Sequence, residues 1–100
     1  MIEFDESIEF VTWLEALRDP LAKVRVLARL RAAELGNFGD CESVGSSVCE
    51  MRIHYGSGYR VYFTRRDKVV YLLLIGGDKS TQKRDIKRAR QMAKNLGIKE

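Results

Sequence analysis

Glu50-Met51-Arg52-Ile53-His54-Tyr55-Gly56-Ser57-Gly58-Tyr59-Arg60-Val61-Tyr62-Phe63 is the stretch that decides the fold. Met51, Ile53 and Tyr55 alternate with Glu50, Arg52 and His54, the period of two of a half-buried strand. Gly56-Ser57-Gly58 makes a short hairpin loop. The chain returns over residues 59–63, with Val61 and Phe63 on one face and Arg60 and Tyr62 on the other. Arg66-Asp67-Lys68 is the next turn. Residues 69–75 are apolar on both faces, as a central strand requires. Gly76-Gly77-Asp78 ends that strand, so three antiparallel strands stand in a row.

The flanks read as helices. Ser7 caps a helix whose Phe10, Trp13, Leu14 and Leu17 repeat at helical spacing. Trp13 is read as core. Asp19-Pro20 breaks this helix and starts another, with Asp19 as cap and Pro20 at the first helical position. The second helix is expected to reach Leu35, with Val24, Leu27, Ala28 and Leu35 on its apolar side, and Gly36 closes it. Residues 36–47 read as a loop. Residues 1–4 read as a short strand. A basic helix is expected from about Ser80 to Leu96, with Ile86, Ala89, Ala93 and Leu96 as its stripe.

The order is β-α-α-β-β-β-α in one domain, residues 1–100. This is an α+β fold with an antiparallel sheet and helices packed on one face. The other face is then open for a site. Apolar residues make up 45% and charged residues 32%, which suits a globule and excludes a disordered or fibrous chain. No apolar run is long enough to span a membrane. The acidic start does not read as a signal peptide, which points to the cytoplasm. Cys41 and Cys49 have no metal-ligand spacing with His54, so reduced, partly buried thiols are expected, without metal or cofactor. Residues 1–20 carry a net charge of −5 and the other 80 carry +9. That asymmetry suggests a face for a polyanion or an acidic partner; a solvated basic face reads equally well.

Three stretches carry a family resemblance. One is Phe10-Val11-Thr12-Trp13-Leu14 with Leu17-Arg18-Asp19. The second is the segment 50–63 quoted above. The third is Gly76-Gly77-Asp78-Lys79-Ser80-Thr81-Gln82 followed by Asp85-Ile86. With the Leu35-Gly36-Asn37 corner they cover nearly the whole chain in order. The chain resembles the HigB-like "addiction module killer" toxins of type II toxin–antitoxin modules, within the RelE/ParE superfamily. Ser57 departs from the pattern's proline and Ser47 from its glycine.

The resemblance implies a RelE-like fold, a helix-turn-helix HigA-like antitoxin as partner, and cleavage of mRNA in the ribosomal A site. Metal-free cleavage through the 2′-hydroxyl needs a base, cations on the phosphate and an acid for the leaving oxygen. By resemblance Arg60 contacts the scissile phosphate, and a guanidinium can bind two oxygens at once. An ion pair with Glu50 or Asp78 is the structural alternative. Arg52 belongs to the same signature, and Lys79 corresponds to the basic residue after the last strand. Histidine alone has an ordinary pKa near neutrality, about 6.5, so His54 is the proton-transfer candidate or else an exposed strand residue. Tyr55 and Tyr62 could stack on a base or pack on their neighbours. Asp78 could orient Lys79, bind a sugar hydroxyl or shape a turn. Thr81 and Gln82 could touch the backbone; Ser80 or Thr81 could cap the helix. Lys83 and Arg84, with Lys87, Arg88, Arg90 and Lys94, read as a phosphate-binding, antitoxin-binding or solvated face. Two other functions remain open: a ParE-like inhibitor of DNA gyrase, and a non-catalytic antitoxin-binding module.

Overall fold

The computed structural model describes residues 1–98. Its elements are β1 (Glu3–Glu6), α1 (Ile8–Ala16), α2 (Pro20–Glu34), β2 (Cys41–Ser43), β3 (Val48–Ile53), β4 (Tyr59–Arg65), β5 (Val70–Gly77) and α3 (Gln82–Asn95). A single 3-10 turn, Lys79–Thr81, leads into α3. The strands lie in the order β1-β5-β4-β3-β2. The α+β class and the expected helices and strands are all present.

The layering differs from the expectation in two ways. β1 pairs parallel with β5, so the sheet is mixed and not antiparallel throughout. Helices cover both faces. α1 and α2 set Phe10, Val26, Leu30 and Ala33 against Met51, Ile53, Val61, Phe63 and Leu73. α3 sets Ala89, Met92 and Ala93 against Val48, Tyr62, Leu72, Leu74 and Ile75 on the opposite face. A central strand apolar on both sides demands a cover on both, and the amphipathic α3 supplies the second. The site therefore lies at the end of a covered face, where α3 begins, and not on an open sheet.

Local chemistry explains the helix ends. The Ser7 hydroxyl accepts from Phe10 N and donates to Leu74 O, which seats α1 on β5. Asp19 accepts from Leu21 N at 2.9 Å, and Pro20 opens α2. Trp13, Leu14 and Leu17 pack on the core as expected.

The inner face of α2 is not the expected one. Ala22, Val26, Leu30 and Ala33 are buried, whereas Val24, Leu27, Ala28 and Leu35 are exposed. Both stripes are apolar at helical spacing. In α3, Met92 takes the core place expected of Leu96, which is exposed.

β2 falls in the stretch expected to be only loop. Three residues with one apolar side chain carry no visible alternation. Pairing with β3, Cys41 opposite Met51, creates this strand. Arg29 of α2 donates to the carbonyls of Phe38 and Arg52 and so pins the segment. Ser47 has φ of +62°, the left-handed region where glycine is least strained. Both cysteines are free and half-buried, and burial raises the Cys41 thiol to about 11. No described helix is long and apolar enough to cross a membrane.

Candidate functional site

Glu50, Arg52, Arg60 and Tyr62 share the α3 face of β3 and β4. Arg52 lies directly opposite Arg60, and Glu50 opposite Tyr62. Like charges directly opposite destabilise a sheet, so an anion is needed between the arginines. Glu50 supplies it. Its carboxylate is wholly buried and accepts from Arg52 Nε (2.9 Å), Tyr62 OH (2.8 Å) and Gln82 Nε2 (3.0 Å). Arg60 Nε stands 3.4 Å away. Burial opposes ionisation of Glu50. The donors from Gln82, Tyr62 and Arg52, with the charge of Arg60, outweigh it and hold the carboxyl below its ordinary value.

Arg52 and Arg60 are placed differently. Arg52 is ringed by three carboxylates: Glu50, Glu42 and Asp40. Arg60 donates from Nη1 to Gly58 O and lines a groove of about 480 Å³ with His54, Tyr55, Lys79 and the turn 56–58. A side chain at residue 58 would stand 3.3 Å from both Arg60 Nη1 and Lys79 Cβ, so glycine lets the two cations converge. Gly58 also has φ of +78°. Lys79 N donates to Ser57 O, which ties the β3–β4 turn to the start of α3. A second groove, about 510 Å³, is lined by residues 79–84 and meets the first at Lys79. Lys79, Lys83 and Arg84 are exposed there, at the positive end of a 14-residue helix.

The exposed His54 ring sets Nε2 2.6 Å from Asp40 Oδ2. The histidine contact, followed by the opposing effect of burial and the charge of Arg52, leaves Asp40 below the ordinary carboxyl range. An ionised carboxylate only accepts, so Nε2 is the ring nitrogen that donates to Asp40.

Other expected site residues are committed elsewhere. Tyr62 is completely buried, its hydroxyl spent on Glu50, and cannot stack on a base. Tyr55 borders the groove, yet its hydroxyl donates to Asp19 at 2.7 Å and Arg25 lies over its ring. The Asp78 carboxylate caps the 3-10 turn through Ser80 N and Ser80 OH. The Ser80 hydroxyl, ahead of the other contacts, keeps Asp78 below its usual range. Thr81 donates to Asp85, and Gln82 is turned inward to Glu50.

The Gly-Gly pair is explained by packing. A Cβ on Gly76 would meet the Trp13 ring at 2.1 Å, and one on Gly77 would meet Asp85 Oδ2 at 1.9 Å. α1 and α3 therefore close on β5 from opposite sides at adjacent residues. Sequence reasoning treated Glu50 only as an ion-pair alternative and did not single out Asp40. The period of two did place Glu50 with Arg52, but nothing local marked it as the buried hub.

Asp19, Asp40, Glu50 and Asp78 all titrate below their ordinary values in the fold. Tyr55 heads the causes for Asp19, and those for the other three are given above. A depressed carboxyl stabilises the fold above its unfolded pKa, and that gain is lost as pH falls through the folded value. The urea midpoint is expected to hold between pH 7 and 5 and to fall progressively below about pH 4. A midpoint unchanged down to pH 3 would contradict this reading.

The model of the phage-derived protein Gp49-like family (DUF891) matches residues 12–95. A Haemophilus influenzae protein, described only as uncharacterized, is 43% identical over 97 residues, covering 97% of this chain and 98% of its own length. No solved structure matches. A match across the helices, the hairpin and the Gly76-Gly77-Asp78 corner places this chain in the Gp49-like family of phage-derived proteins, a RelE-like, toxin-like family of toxin–antitoxin systems.

Proposed function

We propose that the chain is the toxin of a type II toxin–antitoxin pair, HigB-like in action, that cuts mRNA in the ribosomal A site. The observation that carries this is the convergence of Arg60, Lys79 and His54 on one groove, continuous with the basic start of α3. Arg60 and Lys79 neutralise the charge that builds on phosphorus as the 2′-oxygen attacks. His54 moves a proton at Nδ1, with Asp40 fixing the other nitrogen. His54 Nδ1 takes the 2′-hydroxyl proton, the bond from phosphorus to the 5′-oxygen breaks, and the leaving oxygen takes a proton from water, which gives a 2′,3′-cyclic phosphate and a 5′-hydroxyl. Lys83 and Arg84 hold flanking phosphates. Arg52, ringed by Glu50, Glu42 and Asp40, is assigned to bracing the sheet beside Arg60.

The test is to induce the chain in a bacterial host and map new mRNA 5′ ends. New ends inside translated regions are expected. Growth arrest without them would replace this reading with gyrase inhibition. No arrest at all would leave a binding module.

A toxin-like family implies an antitoxin, and α2 offers it a surface. Leu21, Val24, Leu27 and Leu35 are each 47–65% exposed on the outer side of α2, with the exposed Arg31 among them. An apolar stripe beside a cation suits an amphipathic helix with acidic flanks, here assigned to a HigA-like antitoxin. A Val24→Glu, Leu27→Glu variant is expected to stay toxic and to escape neutralisation by the co-expressed antitoxin. Full neutralisation would remove this surface from the interface.

A further inference from the structure

We infer that Glu50 is the positioning residue for Arg60: its buried carboxylate, held by β3, β4 and α3 together, aims the Arg60 guanidinium into the groove. The inference rests on the proposed role of Arg60 for its effect on cleavage, but its structural half stands alone.

The argument starts from strand register. β3 and β4 bring two guanidinium groups face to face at Arg52 and Arg60. Left alone they would splay. Glu50, two residues from Arg52 on the same face, divides its oxygens between them. Oε1 accepts from Arg52 Nε, while Oε2 accepts from Tyr62 OH and faces Arg60 Nε. A carboxylate has about four lone-pair directions. Arg52, Tyr62 and the bridging Gln82 contacts use them up. Three elements thus hold Glu50, so its position is over-determined before any ligand arrives.

Arg52 takes one Glu50 oxygen through Nε, while Asp40 and Glu42 hold its other nitrogens from the rim, so the second Glu50 oxygen faces Arg60. Glu50 is left to act on Arg60. Among the described residues Arg60 Nε is the one buried side-chain polar atom without a hydrogen bond. Arg60 is therefore held at its base by charge, at 3.4 Å, and at Nη1 by the Gly58 carbonyl. Its remaining Nη donors stay available to a phosphate on the groove side. Orientation is set before binding, which is what a cation acting on a transition state requires. Glu50 itself has no exposed surface and no free acceptor, so it does not act as a base on RNA.

The experiment compares wild type, Glu50→Gln and Tyr62→Phe by NMR of the 15N-labelled chain and by mRNA 5′-end mapping after induction. In Glu50→Gln the amide spectrum should stay dispersed. The Arg60 Nε–Hε resonance should move toward that of exposed arginines, and cleavage should fall by about 10–100-fold. Tyr62→Phe keeps the charge but removes one anchor, so it should shift the same resonance less and cost less activity. An unmoved Arg60 resonance in a folded Glu50→Gln overturns the inference, even if cleavage is lost, because Glu50 would then be merely structural. Should Glu50→Gln fail to fold, an unmoved Arg60 resonance in Tyr62→Phe overturns it. A resonance that responds while wild type cuts no mRNA sinks the nuclease reading and upholds the positioning role.

Discussion

Arg60→Ala is expected to lower mRNA cleavage by about 10²–10³-fold, the cost of removing one preorganised charge donor from a phosphate or oxyanion site. The chain should remain folded. Glu50 would keep Arg52, Tyr62 and Gln82 as partners, so no buried carboxylate is left without donors. The loss of the packed Arg60 stem, 13% exposed, should lower stability only modestly. Arg60→Lys keeps a charge but loses the planar fork, and should fall between the two. Counting mRNA 5′ ends at equal protein levels, with circular dichroism on the purified variants, separates chemistry from folding. Full cleavage by a folded Arg60→Ala would take Arg60 out of the site and leave Lys79 as the remaining cation of the groove.

Gly77→Ala should be among the most damaging small substitutions for stability. Its new Cβ would fall 1.9 Å from Asp85 Oδ2 and 3.0 Å from Thr81 Oγ1. Asp85 is buried and held by the Thr81 hydroxyl, so it cannot simply swing to solvent. β5 and the first turn of α3 must separate instead. Overpacking of this kind costs about 1–3 kcal/mol, and each kcal/mol lowers Tm by roughly 4–8 °C in a domain this small. Gly76→Ala should lose a similar amount on the other face, where the Trp13 ring is 2.1 Å from the new carbon. Urea denaturation and thermal melts would measure both. If neither variant shifts its midpoint, the two helices do not approach β5 as closely as described. Gly77→Ala should also weaken cleavage, because moving α3 moves Gln82 away from Glu50 and Lys79 away from Arg60.

Much of this architecture was legible in the sequence. The period of two across residues 50–63, Ser7 and Asp19-Pro20 as helix starts, and the apolar run before Gly76 are local patterns. Backbone geometry and capping chemistry act over a few residues, so a few residues announce them. The same period put Arg52 and Arg60 on one strand face, and the turn composition put Lys79 just beyond β5.

What only the tertiary structure decided are choices between local equals. α2 has two apolar stripes, and the sequence does not say that Ala22, Val26, Leu30 and Ala33 face inward; packing with Met51, Ile53, Val61 and Phe63 of the sheet decides it. β2 and the parallel pairing of β1 with β5 depend on partners far along the chain. Tyr62 and Arg60 read as neighbours on one strand face, and only the fold shows that α3 lies over one and leaves the end of the other in a groove. The division of labour between Arg52 and Arg60 was likewise hidden. Two arginines eight residues apart look alike, and only the packing of Asp40, Glu42 and Glu50 around them gives one three carboxylate partners and leaves the other facing a groove. Electrostatic roles depend on distances in space and on burial, and neither is written in the spacing of residues along a chain.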